Sequence, residues 1–272
     1  MKGNKRYDTQ FGIPKEFRNK VSVYDDIFTE EERDNIERYI ITQVPYYWMD
    51  DTSYRILDDI TDEPSSQMQL DLEESNTDSL GYKFIPPSHY SDGRKYQGRQ
   101  GFGAIFREDR CKEDEPDVCG SHSLLGPHTD FVDTIYNTIV DKINFPLFDY
   151  LITRAFFQMN LNLDDKHIPD SIHIDSPEPH ISIIYYVSDS DGDTIIYKNP
   201  LDMDNDSHWT EPNKYGFQDP IVPTFDSVVE KQRVSPKKGR VLVFDGLLWH
   251  TSNQPNESNR RVILNSNLIA KL

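Results

Sequence analysis

The sequence predicts an α+β fold, mainly β: a β-sandwich or jelly roll buttressed by N-terminal helices. Three observations lead there. From residue 153 onward, short apolar runs bounded by turn residues recur, and two of them flank the turn "DSDGD". Helical periodicity, by contrast, is confined to the first half of the chain. Helices gathered at one end and antiparallel strands at the other are the pattern of this class. The 272 residues are enough for a sizeable core, and 36% hydrophobic with 12% aromatic content belongs to a folded chain. No repeat and no Gly/Ser- or Pro-rich linker divides it, so the expectation is a single domain over 1–272, helical and loop-rich over 1–152, with the β core over 153–268.

In chain order, "FTEEERDNIERYIITQV" (28–44) opens with Thr29 and Glu32, a capping-box pair, and continues with Ile36, Tyr39 and Ile40 at helical spacing. It reads as an amphipathic helix. From Trp48 to about Asp117 the chain is acidic and reads as loop with short extended pieces. A small basic stretch there, "GRKYQGRQGFGAIFR" (93–107), reads as a solvated loop. "DFVDTIYNTIVDKINFPLFDYLI" (130–152) reads as a helix interrupted near Pro146. Next, "TRAFFQMNLNL" alternates as a strand, with Phe156, Gln158, Asn160 and Asn162 on one face. "HISIIYYVS" and "DTIIYKN" on either side of "DSDGD" predict a hairpin. "GRVLVFDG" (239–246) and "RRVILNSNL" (260–268) complete the strands.

Charge narrows the partners. A formal net charge of −18 repels nucleic acid and anionic membranes, so neither is expected as a partner. No run has the length of a membrane span, and "MKGNKRYDTQFGIPK" lacks a signal peptide's apolar core, which predicts a soluble, cytoplasmic protein. In that compartment Cys111 and Cys119, both in one polar loop, are expected as free thiols. Only three alanines beside many Asn, Asp and Ile suggest an AT-rich genome, phage or microbial.

The chemistry is concentrated in "SIHIDS". Side chains at i and i+2 of a strand share a face, so His173 and Asp175 aim the same way. "DGLLWHTSN" offers His250 just after a predicted strand as a third ligand. Two His and one carboxylate on one face of an octahedral metal is the arrangement of non-haem Fe(II) oxygenases, with three positions left open. Other acidic patterns carry less. His128 and Asp130 form a second H-x-D that leads into helix. "DMDNDSHW" (202–209) has Ser207 where a calcium loop needs Gly and lacks the closing Glu, and "DSDGD" is sufficient as a turn.

The order "HID", "SIIYYV", "DGDT", "IIYK" and "VSPKKGRVLVFDGLLWHTSNQPNESNRRVILN" resembles the Fe(II)- and 2-oxoglutarate-dependent dioxygenases, in particular their prolyl-4-hydroxylase-like branch, over roughly residues 153–268. The resemblance implies a double-stranded β-helix core, Fe(II) on His173, Asp175 and His250, 2-oxoglutarate as cosubstrate and ascorbate as a supporting reductant. It implies hydroxylation of an unactivated C–H bond with succinate as coproduct. Halogenating members lack the carboxylate that Asp175 supplies here. A basic residue about ten positions past the distal His is expected on the far carboxylate of 2-oxoglutarate. Arg260 and Arg261 both qualify, and Arg261 is favoured because it abuts the apolar "VILN". Tyr186 is expected on the same carboxylate, and Asn160 and Asn162 are candidate amide donors to the cosubstrate, with a solvated position as their other reading. A peptidyl proline fits the nearest branch as substrate, with a free amino acid or another small molecule as the other class. The competing readings are a non-catalytic jelly-roll binding or structural module, which has no need of the Arg, and a zinc hydrolase, which lacks a nearby Glu as base.

Overall fold

The computed structural model describes residues 11–57, 95–110, 122–125, 128–146, 148–159, 169–176, 179–202, 204–210 and 220–271. Cys111, Cys119, Asn160 and Asn162 lie outside them. The elements are β1 (Phe11–Gly12), β2 (Val21–Tyr24), α1 (Glu30–Thr42), β3 (Tyr47–Leu57), β4 (Lys95–Arg110), β5 (His122–Leu125), α2 (Thr129–Lys142), β6 (Phe148–Met159), β7 (Ile181–Tyr186), β8 (Thr194–Pro200), β9 (Glu230–Val234), β10 (Val241–Asp245), β11 (Leu248–Ser252) and β12 (Arg260–Lys271).

Two antiparallel sheets form a jelly roll. The large sheet runs β2-β10-β7-β12-β6-β4-β3, with β1 added on β12 and β5 on β4; the small one runs β11-β8-β9. From β7 on, the chain leaves the large sheet for β8 and β9, returns for β10, leaves again for β11 and returns for β12, so the large-sheet neighbours β10, β7 and β12 are not consecutive in sequence. The apolar cluster of Ile184, Tyr186, Leu242, Phe244 and Ile263 from the large sheet with Ile196, Val234 and Leu248 from the small one is the filling between the two. Alternation sends Ile181, Ile183, Tyr185, Val241, Val243, Val262 and Leu264 to the other face, where they join Ile36, Ile40, Val132, Ile135, Tyr136 and Ile139 of the helices. Strands buried on both faces are written as near-continuous apolar runs, which is why "ISIIYY" and "VLVF" carry no polar alternation.

Helix α1 begins where the capping box predicts: Thr29 Oγ1 accepts from Glu32 N–H, and the Glu32 carboxylate accepts from Thr29 N–H at 2.7 Å. Lys238 Nζ, in the turn before β10, ties this helix down through Asp34 (2.7 Å) and Glu37 (3.1 Å). The two helices meet where the Tyr39 ring stacks on Phe131 at 3.8 Å.

Three expectations are corrected. Helix α2 does not resume beyond Pro146. Asn144 takes the left-handed conformation (φ 53°), Phe145 N–H closes on Val140 O, and from Phe148 the chain is strand, paired with β12 and β4. The acidic and basic stretches read as loops contain β3 and β4, paired with each other. Three glycines within "GRQGFG" lower strand propensity, but inter-strand hydrogen bonding to β3 and β6 does not depend on side chains. The "DSDGD" turn does not make a hairpin: β7 belongs to the large sheet and β8 to the small one, so it is a crossover. Asp191 explains the acidic turn, because its carboxylate accepts from the N–H groups of Asn256, Glu257 and Ser258 and fastens the crossover to the segment before β12.

Candidate metal centre and anion pocket

His173 and His250 face each other across a main-chain bridge. His173 N–H donates to His250 O and His250 N–H to His173 O, both at 2.9 Å, and the rings lie 4.4 Å apart. Each imidazole is oriented the same way: His173 Nδ1 lies 3.0 Å from Ser171 O and His250 Nδ1 3.1 Å from Leu248 O. A carbonyl only accepts, so Nδ1 carries the proton and Nε2 keeps its lone pair for a metal. Phe244 packs edge-on against His250 at 5.0 Å. Burial, and then the neighbouring His173, push the His250 imidazole down to about 3, with Asp175 opposing, so His250 is neutral at pH 7.

Asp175 follows at the bend after His173, its side chain only 4% exposed. Arg154 Nη2 donates to its Oδ1 at 2.7 Å, and Asn265 Nδ2 and Ser182 Oγ approach Oδ2 at 3.2 and 3.4 Å. Burial opposes the carboxylate charge, but the adjacent Arg154 guanidinium outweighs it and holds the carboxyl below the usual range. With His250 neutral, Arg154 is the cation that keeps Asp175 ionised. The donor atoms of His173, Asp175 and His250 all lie within 4.8 Å of one another, the spacing of one coordination sphere.

Further along β12, Arg261 is 2% exposed and points between the sheets. Its Nε donates to Gly192 O (2.8 Å), Nη1 to Gln158 Oε1 (2.9 Å) and Nη2 to Thr194 Oγ1 (2.9 Å). Tyr186 Oη also donates to Thr194 Oγ1, at 2.7 Å, and its ring lies under the guanidinium. Among the described residues no carboxylate lies within ion-pair distance of Arg261, although burial works against its charge. Arg260 faces outward, 43% exposed, near Glu37 and the Phe157 ring. Gly192 is required here by close approach: a Cβ would sit 2.7 Å from Asn253 O and 2.8 Å from Arg261 Cδ.

Arg154, Thr194 and Asn265 were not singled out by sequence reasoning. Alternation in "TRAFFQ" places Arg154 on the same face as Gln158, which is the one sequence signal for it.

No family model matches the chain, and no curated protein matches it. Solved structures do. A protein described as an oxidoreductase of the 2OG-Fe(II) oxygenase family from Burkholderia pseudomallei is similar with a TM-score of 0.47 at 10% identity, covering 93% of this chain and 85% of that one. The viral collagen prolyl hydroxylase of Paramecium Bursaria Chlorella virus-1, in its 2OG complex, gives 0.34 at 11% identity over 63% and 80%. HygX from Streptomyces hygroscopicus, with nickel and 2-oxoglutarate bound, gives 0.41 at 9% over 93% and 83%. Likenesses at these values carry no weight for the chemistry, which rests on the residues above.

Proposed function

We propose that the protein is an Fe(II)- and 2-oxoglutarate-dependent dioxygenase that hydroxylates an unactivated C–H bond of a peptide or small molecule. The convergence of His173, Asp175 and His250 carries this reading. The donor set suits Fe(II): two imidazole Nε2 lone pairs and one ionised carboxylate would hold it, a set that leaves room for a chelating cosubstrate. Arg261 supports it independently. A buried guanidinium with no carboxylate at ion-pair distance among the described residues, Asp170 and Asp193 acting on it only from farther off, is suited to receive an anion. The far carboxylate of 2-oxoglutarate fits its planar fork, with the hydroxyls of Tyr186 and Thr194 at the same spot.

The iron, when bound, supplies the oxygen chemistry that couples conversion of 2-oxoglutarate to succinate with hydroxylation of substrate. The chain's own residues do the rest. Ser171 O and Leu248 O fix the imidazole tautomers, Arg154 keeps Asp175 charged, and Ile184, Phe244 and Ile263 line a dry interior beside them. Arg261 would hold the far carboxylate of the cosubstrate.

Succinate release from 2-oxoglutarate, measured with Fe(II) and ascorbate across peptides, amino acids and nucleosides, is the direct test. Under anaerobic conditions a weak visible band is expected only with protein, Fe(II) and 2-oxoglutarate together, and not with glutarate, which lacks the chelating oxo group. Loss of both signals would leave a non-catalytic jelly-roll module.

A further inference from the structure

On the side of Asp175 away from Arg261, a row of polar side chains crosses the interior of the large sheet. Arg154 and Asn265 are direct cross-strand partners on β6 and β12, and Asn267, two residues on, is the partner of Ser182 on β7. Asn265 is 5% exposed and Asn267 fully buried. Asp175 and Ser182 use part of this row. Asn265 Nδ2 donates to Asp175, which leaves its Oδ1 as an acceptor, and Asn267 Oδ1 lies 3.4 Å from the Ser182 hydroxyl, which leaves its Nδ2 as a donor. Asn265 Oδ1, Asn267 Nδ2 and Arg154 Nε are all buried without a hydrogen-bond partner among the described residues. Buried polar atoms left unpaired are costly, and these three cluster on neighbouring strands around Asp175 and Ser182, where one polar group could pair with all of them. The Arg154 side chain, 24% exposed, is the edge of the row that meets solvent and so marks the way in.

We propose that Arg154, Asn265 and Asn267 form the substrate subsite, and that it takes the head group of a free α-amino acid. The inference rests on the dioxygenase reading above and specifies its substrate class. A guanidinium N–H beside an amide N–H is the donor pair for a carboxylate, and an amide oxygen next to them accepts from an ammonium. An α-amino acid uses all three atoms; a residue inside a peptide chain has neither the carboxylate nor the ammonium.

The test is calorimetric titration of the full chain loaded with Mn(II), a redox-quiet substitute for Fe(II), and 2-oxoglutarate. The probes are the twenty L-amino acids, the methyl ester and N-acetyl form of whichever binds, and a proline-containing peptide. A free amino acid is expected to bind saturably, with ester and N-acetyl form weaker by about tenfold or more. Arg154→Gln and Asn267→Leu should weaken the amino acid by a similar factor, with Arg154→Lys recovering part of the loss. The acid-against-ester comparison is made on the unaltered chain, so it stands even where a variant fails to fold. Tight binding of the peptide with none of any free amino acid overturns the subsite, as does equal binding of acid and ester. If Mn(II) and 2-oxoglutarate themselves do not bind, the dioxygenase reading falls and the subsite falls with it; if they bind and no acid-selective ligand follows, the subsite alone falls.

Discussion

Arg260 and Arg261 are neighbours in sequence and opposites in environment, which makes them a matched pair of probes. Arg261 is enclosed by Gly192, Gln158 and Thr194, whereas Arg260 is 43% exposed beside Glu37. Replacing Arg261 with Met should raise the apparent 2-oxoglutarate requirement strongly, because a carboxylate buried without its partner costs about 3–5 kcal/mol. Arg260→Met should stay within about 1 kcal/mol. Titrating 2-oxoglutarate against succinate release reads both, and the reverse order would mean that the cosubstrate lies elsewhere. His173→Ala, Asp175→Ala and His250→Ala are each expected to abolish Fe(II)-dependent turnover with the circular-dichroism spectrum retained. Near wild-type 2-oxoglutarate consumption in any one of them would remove that residue from the site.

At the scale of elements, the crossover between β7 and β8 is where fold and site meet. Gly192→Ala should strain the approach of Asn253 O and displace Arg261, costing about 1–3 kcal/mol and weakening 2-oxoglutarate binding more than metal binding. Ile40→Ala on α1, in the apolar cluster on the helix side of the large sheet, should cost about 2–5 kcal/mol of stability in urea unfolding and leave the cosubstrate requirement unchanged. Legibility in the sequence follows the same division. Strands β7, β8, β10 and β12 are readable because sequence must write burial on both faces as Ile, Val, Leu and Tyr. Strands β3 and β4 are not, since glycine and charge hide them and their pairing is main-chain. The spacing of His173 and Asp175 is local and readable. Arg154 lies 21 residues before its carboxylate partner and Asn265 lies 90 after it, so only the register of β6, β7 and β12 brings them together. The "DSDGD" turn looked like a hairpin because a turn signal does not say which sheet receives the next strand.

For the molecule as a whole, acid is the informative variable. Burial opposes the Asp191 charge, but the N–H groups of Asn256, Glu257 and Ser258 lower its carboxyl below the ordinary value. A depressed folded value means that the unfolded chain binds the proton more readily. The stabilisation is therefore present above the unfolded value, about 3.9, and is lost as pH falls through the folded one. Thermal midpoints of the unaltered chain and Asp191→Asn should differ at pH 7 and converge as pH drops below about 4. A constant gap across that range would show that the carboxylate is not what fastens the segment before β12.

The mutual main-chain bridge between His173 and His250 has a consequence for evolution and engineering. Because peptide groups hold the two positions together, replacing either imidazole leaves the scaffold of the socket in place. Position is thus encoded by the backbone and metal preference by the side chains, two properties that can drift separately. His173→Asp should accordingly move the order of affinities toward harder ions such as Mn(II), without abolishing binding, in a competition titration between Mn(II) and Zn(II). A descendant of this chain has a short path to a different metal, and with it a different chemistry, while the barrel stays as it is.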